Sequence, residues 1–121
     1  MTRNVPDLID TLDDGTLKEL FGRSLLQTDD GSNKDIEAVC RLSEAFEGLD
    51  RQGHSMALFP NELNYAMFFD SSTRTKSSWA GAAARLGAHP VIVDGSSTQV
   101  AHGETAVETG AMLGMNAHAL G

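Results

Sequence analysis

The sequence predicts an α/β fold: a parallel-sheet domain with helices on both faces, preceded by N-terminal helices. In the second half of the chain, strand-like and helix-like segments alternate with polar loops between them. This alternation is typical of parallel sheets, because parallel neighbours need a crossover connection. Residues 80–84 are all Ala or Gly, which favours a helix packed closely on a sheet. Residues 91–93 are wholly apolar, as expected of a strand covered on both faces.

Composition and charge narrow the function classes. The chain has 121 residues, and its net charge of −8 opposes non-specific nucleic-acid binding. No apolar run approaches the ~20 residues of a membrane span, and the N-terminus has no apolar signal core. We therefore expect a cytoplasmic protein that binds neither nucleic acid nor membrane. Cys40 is the only cysteine; it cannot form an internal disulfide, and we expect it to be a small buried residue.

A short helix is predicted near residue 16. Thr16 can cap it, Glu19 stands at the capping-box spacing, and Gly22 suits its end. Residues 27–33 are polar and rich in turn-forming residues, so they predict a loop.

A longer helix is predicted to begin at Ser32 or Asn33 and to end before Gly53. Its apolar residues recur at three- and four-residue spacing: Ile36, Val39, Cys40, Leu42, Ala45, Phe46 and Leu49. We expect one domain in 1–121, with residues 1–53 as a helical lead-in to an α/β part at residues 54–121.

The α/β part begins with two apolar segments, residues 55–60 and 65–69, which predict two short strands. Because Pro60 and Asn61 interrupt them, they could instead form one longer element, or a strand plus a turn. A helix should follow from about Thr75 to Leu86 and end at Gly87.

The rest of the α/β part continues the alternation. A strand at residues 91–93 precedes a polar loop at 94–102, and a last helix begins near Gly103 and runs through Met115. Residues 117–120 predict the start of another strand. Because a domain rarely stops on a strand, we expect the chain to be the first half of a longer protein.

The segment from Ser71 to Thr75 follows a predicted strand and opens a predicted helix. Backbone N–H groups and the helix dipole make this position suited to an anion. Its hydroxyl groups can donate to phosphate oxygens, and Arg74 offers a planar fork for two oxygens. Composition alone leaves a second interpretation, a simple helix cap with a solvated Arg74. The Gly-rich patterns of nucleotide-binding loops do not occur in the sequence.

Residues 68–76, Phe-Phe-Asp-Ser-Ser-Thr-Arg-Thr-Lys, resemble the carbamoyl-phosphate signature of the aspartate/ornithine carbamoyltransferases, Ser-Thr-Arg-Thr-Arg after an apolar strand. Residues 85–88 (Arg-Leu-Gly-Ala) and 103–105 (Gly-Glu-Thr) resemble two further motifs of the family in the same order. The resemblance covers roughly residues 59–121, and within the family it looks most like the YgeW-type transcarbamylases.

The resemblance implies a reaction and a set of ligands. A carbamoyl group would pass from carbamoyl phosphate to the amino group of an amino-acid-like acceptor, with release of phosphate and no metal or organic cofactor. Ser72 and Thr73 would hold phosphate oxygens, Arg74 would neutralise the leaving phosphate, and Thr75 would also reach the carbonyl oxygen. Ser71 precedes the motif and is a further candidate ligand; Arg74 and Thr75 are the catalytic candidates.

The resemblance also implies a homotrimer with active sites between subunits. His102 stands where aspartate carbamoyltransferases have a Lys that enters the neighbouring subunit's site, and Gln99 is a second candidate; the alternative is an exposed loop with an incidental His. Lys76 replaces the last Arg of the motif, where we expect a supporting role. Glu104 should either cap its own helix or pair with Arg74.

The second domain of the family, which supplies acceptor-binding groups, is absent from these 121 residues. We therefore expect the chain alone to bind its ligand weakly and to turn over nothing. Two other functions fit the same loop or surface: a non-catalytic phosphate-binding or other anion-binding module, and a trimer-assembly module.

Overall fold

The computed structural model describes residues 5–121, apart from the side chains of Val5 and Leu8. The chain divides into two compact units, Met1–Ser55 and Met56–Gly121. The first unit contains helices α1 (Val5–Asp10), α2 (Asp14–Leu20) and α3 (Asn33–Arg51), with a 3₁₀ turn at Thr28–Asp30. The second contains strands β1 (Leu63–Phe68), β2 (His89–Asp94) and β3 (Ala119–Leu120), and helices α4 (Arg74–Arg85) and α5 (Ala106–Gly114).

Helix α2 begins two residues before the predicted cap. The carboxylate of Asp13 accepts from the backbone N–H groups of Gly15 and Thr16, each at 3.3 Å. The Thr16 hydroxyl donates to the same carboxylate at 2.6 Å. The predicted capping box of Thr16 and Glu19 is therefore wrong, because a charged acceptor three residues earlier takes the free N–H groups and complements the helix dipole. Helix α1 was not predicted.

Helix α3 begins where the sequence predicts. The Ser32 hydroxyl accepts from the N–H of Asp35 at 3.2 Å, and the Asp35 carboxylate accepts from the N–H of Ser32 at 2.8 Å. These reciprocal bonds are a capping box, and the bond from the Ser32 N–H lowers the pKa of Asp35. Arg23 adds an ion pair to the same carboxylate at 3.3 Å.

Cys40 is exposed, so its predicted burial is wrong. The buried face of α3 includes Ala38 and Ala45, which are seven residues apart and therefore on one side of the helix. Cys40 is turned about 200° from Ala38 around the axis, at about 100° per residue. The apolar stripe of α3 is thus narrower than its sequence pattern suggests.

The sheet of the second unit has the order β2-β1-β3, and both pairings are parallel, which confirms the predicted α/β class. The register runs from Leu63 opposite His89 to Phe68 opposite Asp94. The chain steps from β1 to β2 and then back across β1 to β3. Because such crossovers are right-handed, the opposite steps place α4 and α5 on opposite faces of the sheet.

The start of β1 is fixed by His118. The Leu63 N–H donates to the His118 Nδ1 at 3.0 Å, and the N–H of His118 donates to the Leu63 carbonyl at 2.8 Å. The histidine therefore holds the segment before β3 against the central strand.

The strand predicted at residues 55–60 is not formed; the chain there is irregular and turns at residues 59–61 before β1, so the alternative of a strand plus a turn is confirmed. Pro60 lacks the N–H that a ladder needs, and Asn61 adopts a left-handed φ of 67°. Met56 is buried, whereas Leu58 is 56% exposed. The segment instead packs against the turn after α4, where a Cβ on Gly87 (φ +83°) would lie 2.7 Å from the Ala57 Cα.

Candidate functional site

The segment Ser71–Thr75 lies at the carboxyl end of the central strand. It leaves β1 after Phe68 and enters α4 at Arg74. Strand β1 has β2 on one side and β3 on the other, so the strand order reverses here. In parallel α/β sheets, ligands bind outside the carboxyl ends of the strands at such a reversal.

Helix α4 begins without a side-chain cap. Its N-cap residue, Thr73, has helical dihedrals (φ −98°, ψ −52°), and its side chain accepts no capping bond. Side chains cap the other helices whose starts the structure resolves: Asp13 on α2, Ser32 on α3 and Thr105 on α5.

The first turn of α4 consequently keeps its donors free. Within residues 5–121, the backbone N–H groups of Arg74, Thr75 and Lys76 find no acceptor. Free N–H groups at the positive end of a helix dipole form an anion-binding site.

The side chains around this turn are also uncommitted. Ser71, Thr73, Arg74 and Thr75 are exposed and Ser72 is half-buried. Among the described residues, the guanidinium of Arg74 makes neither a hydrogen bond nor an ion pair, and the four hydroxyl groups donate to none of them. The backbone N–H of Ser71 donates to the Asp70 carboxylate at 2.7 Å. The predicted ligands therefore lie side by side at the start of α4, and all but the half-buried Ser72 are exposed.

Lys76 differs from Arg74 although both lie in the first turn of α4. Its Nζ forms an ion pair with the Asp94 carboxylate, at the end of β2. The same Nζ lies 5.4 Å from the centroid of the Phe68 ring. The charge of Lys76 is thus already engaged within the chain.

Gln99 and His102 lie in a segment of 3₁₀ turns, Gly95–Ser97 and Gln99–His102, that follows β2. Both side chains are exposed. In the described part of the chain, neither forms a hydrogen bond or ion pair with residues 71–75. His102 instead borders a shallow groove of about 630 Å³ along α5, together with Glu104 and Met112.

Glu104 does neither of the things expected from the sequence. Its carboxylate accepts from the Thr109 hydroxyl at 2.9 Å, and Thr109 is 4% exposed. Helix α5 is capped by Thr105 and Glu108, whose reciprocal bonds measure 2.8 and 3.2 Å. The bond from the Thr105 N–H lowers the pKa of Glu108. Both predictions for Glu104 are wrong, because Glu108 stands at the capping-box position and Glu104 precedes the helix.

Two residues near the segment were missed by sequence reasoning. Asp94 holds Lys76, and no local pattern links residues that are 18 positions apart. Gly95 is buried beneath Phe69, and a Cβ there would lie 2.9 Å from the Phe69 Cδ1. A single glycine at the end of a strand carries no signal for such a contact.

Two further properties concern the described residues. Across residues 5–121, no cluster of three or more His, Cys, Asp or Glu side chains could hold a metal ion. None of the helices in that range is long and apolar enough to cross a membrane.

Within residues 5–121, α4 thus has a free start beside an arginine without a partner, at the strand-order reversal of a parallel sheet. This arrangement is typical of α/β domains that take small anionic ligands. Comparison with known proteins is more specific. The family model for the carbamoyl-phosphate-binding domain of aspartate/ornithine carbamoyltransferase matches residues 23–121. The chain therefore belongs to the aspartate/ornithine carbamoyltransferase family, and the resemblance read from its motifs is confirmed.

Relatives by sequence include two kinds of protein. The chain is 31% identical to the putative carbamoyltransferase YgeW of Escherichia coli over 121 residues, which are 100% of this chain and 30% of that protein. It is 34% identical to the aspartate carbamoyltransferase catalytic subunit of Sulfurimonas denitrificans over 99 residues, 81% of this chain and 33% of the relative.

Solved structures agree with this assignment. The aspartate transcarbamoylase of Trypanosoma cruzi in complex with carbamoyl phosphate matches with a TM-score of 0.76 and 28% identity, over 84% of this chain and 32% of that one. The ornithine carbamoyltransferase of Pyrococcus furiosus matches with the same TM-score, identity and coverage. The chain spans about a third of the length of these relatives.

Proposed function

We propose that this chain is the carbamoyl-phosphate-binding part of a carbamoyltransferase, an enzyme that moves the carbamoyl group to the amino group of an amino-acid-like acceptor. The observation that carries the proposal is the uncapped start of α4, with Arg74 in its first turn making no ion pair to any residue that the structure describes. Membership of the family supports the choice of carbamoyl phosphate over other small anions.

In this proposal the phosphate lies against the first turn of α4. The free N–H groups of residues 74–76 and the hydroxyls of Ser72 and Thr73 donate to its oxygens, and Ser71 extends the same row of hydroxyls. Arg74 supplies the positive charge and can bind two oxygens at once. A charged donor suits this place because negative charge on the phosphate grows as it leaves.

The chemistry needs no covalent step on the protein. The neutral acceptor amine forms a C–N bond with the carbamoyl carbon, the bond from that carbon to the phosphate oxygen then breaks, and the proton that the amine nitrogen gives up passes to the leaving phosphate. Negative charge develops on the carbonyl oxygen in between, and Thr75 is the residue we assign to it. Arg74 and Thr75 therefore act by orienting the substrate and stabilising charge on oxygen.

The rest of the site comes from elsewhere. We propose that the enzyme is a cytoplasmic homotrimer in which Gln99 or His102 reaches a neighbouring subunit's site, which agrees with their exposure and lack of partners within residues 71–75. Residues beyond these 121 would bind the acceptor, so the chain by itself should bind carbamoyl phosphate weakly and transfer nothing. Measurable carbamoyl transfer to any amine by the 121-residue chain would contradict this.

Titration of the chain with carbamoyl phosphate tests the proposal through Arg74→Ala. Loss of a charge-assisted hydrogen bond costs about 1.5–3 kcal/mol, which is at least a tenfold weaker Kd, at about 1.4 kcal/mol per tenfold. Arg51→Ala is the matched control, because it also removes one positive charge, but from an exposed ion pair with Glu47 that is distant in sequence from residues 71–75. Equal affinity of Arg74→Ala and the unmodified chain would refute the proposal.

One observation favours a second function, a module for trimer assembly. Helix α5 exposes apolar side chains, with Val107 82% and Met112 56% exposed, and Met115 directly after it is 77% exposed. If assembly were the whole function, the titration would show no difference between the unmodified chain and Arg74→Ala.

A further inference from the structure

Lys76 is the only side chain among residues 70–76 that bonds to another element of the described structure. The other bonds in this segment are local, such as that from the Ser71 N–H to Asp70. Lys76 instead pairs with Asp94 on β2. Its side chain is 25% exposed and that of Asp94 is 51% exposed.

The same lysine contacts the ends of two neighbouring strands. Asp94 closes β2 and lies opposite Phe68, which closes β1. The Lys76 Nζ pairs with the carboxylate of the first and lies 5.4 Å from the ring centroid of the second, within the range of a cation–π contact. One side chain from the first turn of α4 thus joins that turn to the edge of the sheet.

This connection matters because α4 has no side-chain cap. A cap would orient the first turn, but it would also occupy the N–H groups that the proposed function leaves to the phosphate. The ion pair between Lys76 and Asp94 fixes the first turn of α4 through a side chain, so the backbone N–H groups of that turn stay available to a ligand.

We propose that Lys76 is a positioning residue: its ion pair with Asp94 sets the place of the free N–H groups and of Arg74, and it is not itself a phosphate ligand. The proposal rests on the proposed function, since it assumes that the first turn of α4 binds the phosphate. Asp94 also neutralises the charge of Lys76, which leaves Arg74 as the free cation of the turn.

A substitution of Asp94 separates positioning from direct binding by the sign of its effect. If Lys76 bound phosphate directly, Asp94→Asn would free it and remove a nearby negative charge, and phosphate would bind more tightly. If Lys76 positions the turn, Asp94→Asn releases it, and phosphate binds more weakly. Loss of the Asp94 charge favours an anion in both cases, so weaker binding by a folded Asp94→Asn variant comes from the lost position of the turn.

The experiment is calorimetric titration of the chain with inorganic phosphate and then with carbamoyl phosphate, at 0.15 M salt to screen distant charges. Lys76→Met and Asp94→Asn should each weaken binding by about two- to fivefold, the range of a partly exposed ion pair. The double variant should be no weaker than the weaker single variant, because both remove the same connection. Lys76→Arg, which keeps the pair, should bind within about twofold of the unmodified chain.

Thermal unfolding of each variant identifies a temperature at which all the variants are folded, and the titrations are made at that temperature. If Lys76→Met or Asp94→Asn does not fold, Lys76→Arg is the second test. A purely structural role of Lys76 does not predict that arginine at this position retains phosphate binding. Tighter or unchanged binding by Asp94→Asn, additive effects in the double variant, or loss of binding in Lys76→Arg would each overturn the positioning role.

Arg74→Ala distinguishes failure of this inference from failure of the proposed function. If Arg74→Ala does not weaken binding, the proposed function fails and positioning fails with it. If Arg74→Ala weakens binding but Asp94→Asn does not, the anion site stands and only the role of Lys76 is refuted.

Discussion

A negative charge placed in the first turn of α4 should stabilise the protein and weaken its ligand binding. Thr75 is the second residue of α4, it is exposed, and its N–H has no acceptor among residues 5–121. Glu at this position complements the helix dipole and should raise stability by about 0.3–1 kcal/mol. The natural residue is neutral, which we attribute to binding of an anion at the same place.

The loss of affinity can be estimated from charge alone. Two unit charges about 5 Å apart in water interact by about 0.8 kcal/mol. A phosphate dianion doubles this to about 1.7 kcal/mol, which weakens binding about 15-fold. Thr75→Gln serves as the neutral comparison, because it has the same shape as Thr75→Glu and isolates the charge.

The assay combines thermal unfolding followed by circular dichroism with phosphate titration. Val107→Glu is the matched control: Val107 is the second residue of α5, is 82% exposed, and lies in a helix that is already capped. It should stabilise slightly and leave phosphate affinity unchanged. If Thr75→Glu binds phosphate as tightly as Thr75→Gln, or if Val107→Glu weakens binding equally, the anion does not bind at the first turn of α4.

Two further predictions concern stability. Gly87→Ala should lower the free energy of unfolding by more than about 1–2 kcal/mol, the usual cost of a side chain at positive φ, because the added Cβ would also lie 2.7 Å from the Ala57 Cα. Gly53→Ala is the control: at φ +76° with nothing within 4 Å of the added Cβ, it should lose only the backbone contribution. If urea unfolding shows the same loss of stability for Gly87→Ala and Gly53→Ala, the contact with Ala57 adds nothing and this prediction is wrong. The capping bond from the Ser32 N–H lowers the pKa of Asp35 in the folded protein. The Asp35 carboxylate therefore contributes its full stabilisation of the fold above the unfolded-state pKa of about 3.9, and this contribution is lost as the pH falls through the lower folded-state pKa. Asp35→Asn should therefore be less stable at pH 6 and should flatten the loss of stability in acid; an unchanged acid profile would contradict the assignment.

Local patterns were enough to predict most helices and strands of the second unit. The helix at α4, the strand at β2 and the turn at Gly87 each depend on neighbours a few residues apart, such as small residues in a row or a glycine after a helix. The same is true of Ser71–Thr75, whose hydroxyls and arginine are consecutive. Residues next to one another in the chain stay together in any fold, so the sequence could predict them as one group.

Two segments of the chain carry local signals of similar strength that compete, and there the predicted element differs from the observed one. Thr16 and Asp13 can both cap a helix, and the charged residue prevailed. Residues 55–60 are apolar enough for a strand, but Pro60 removes an N–H and Asn61 turns the chain.

By itself, the sequence determined the family, the parallel α/β class and the row of candidate ligands from Ser71 to Thr75. The tertiary structure alone decided which of them are free: α4 starts uncapped, Arg74 has no partner in the described residues, and Lys76 pairs with Asp94. The physical reason is that the register of β1 and β2 brings Asp94 beside Phe68 and Lys76. Such a register depends on the packing of the whole sheet, which no short stretch of sequence encodes.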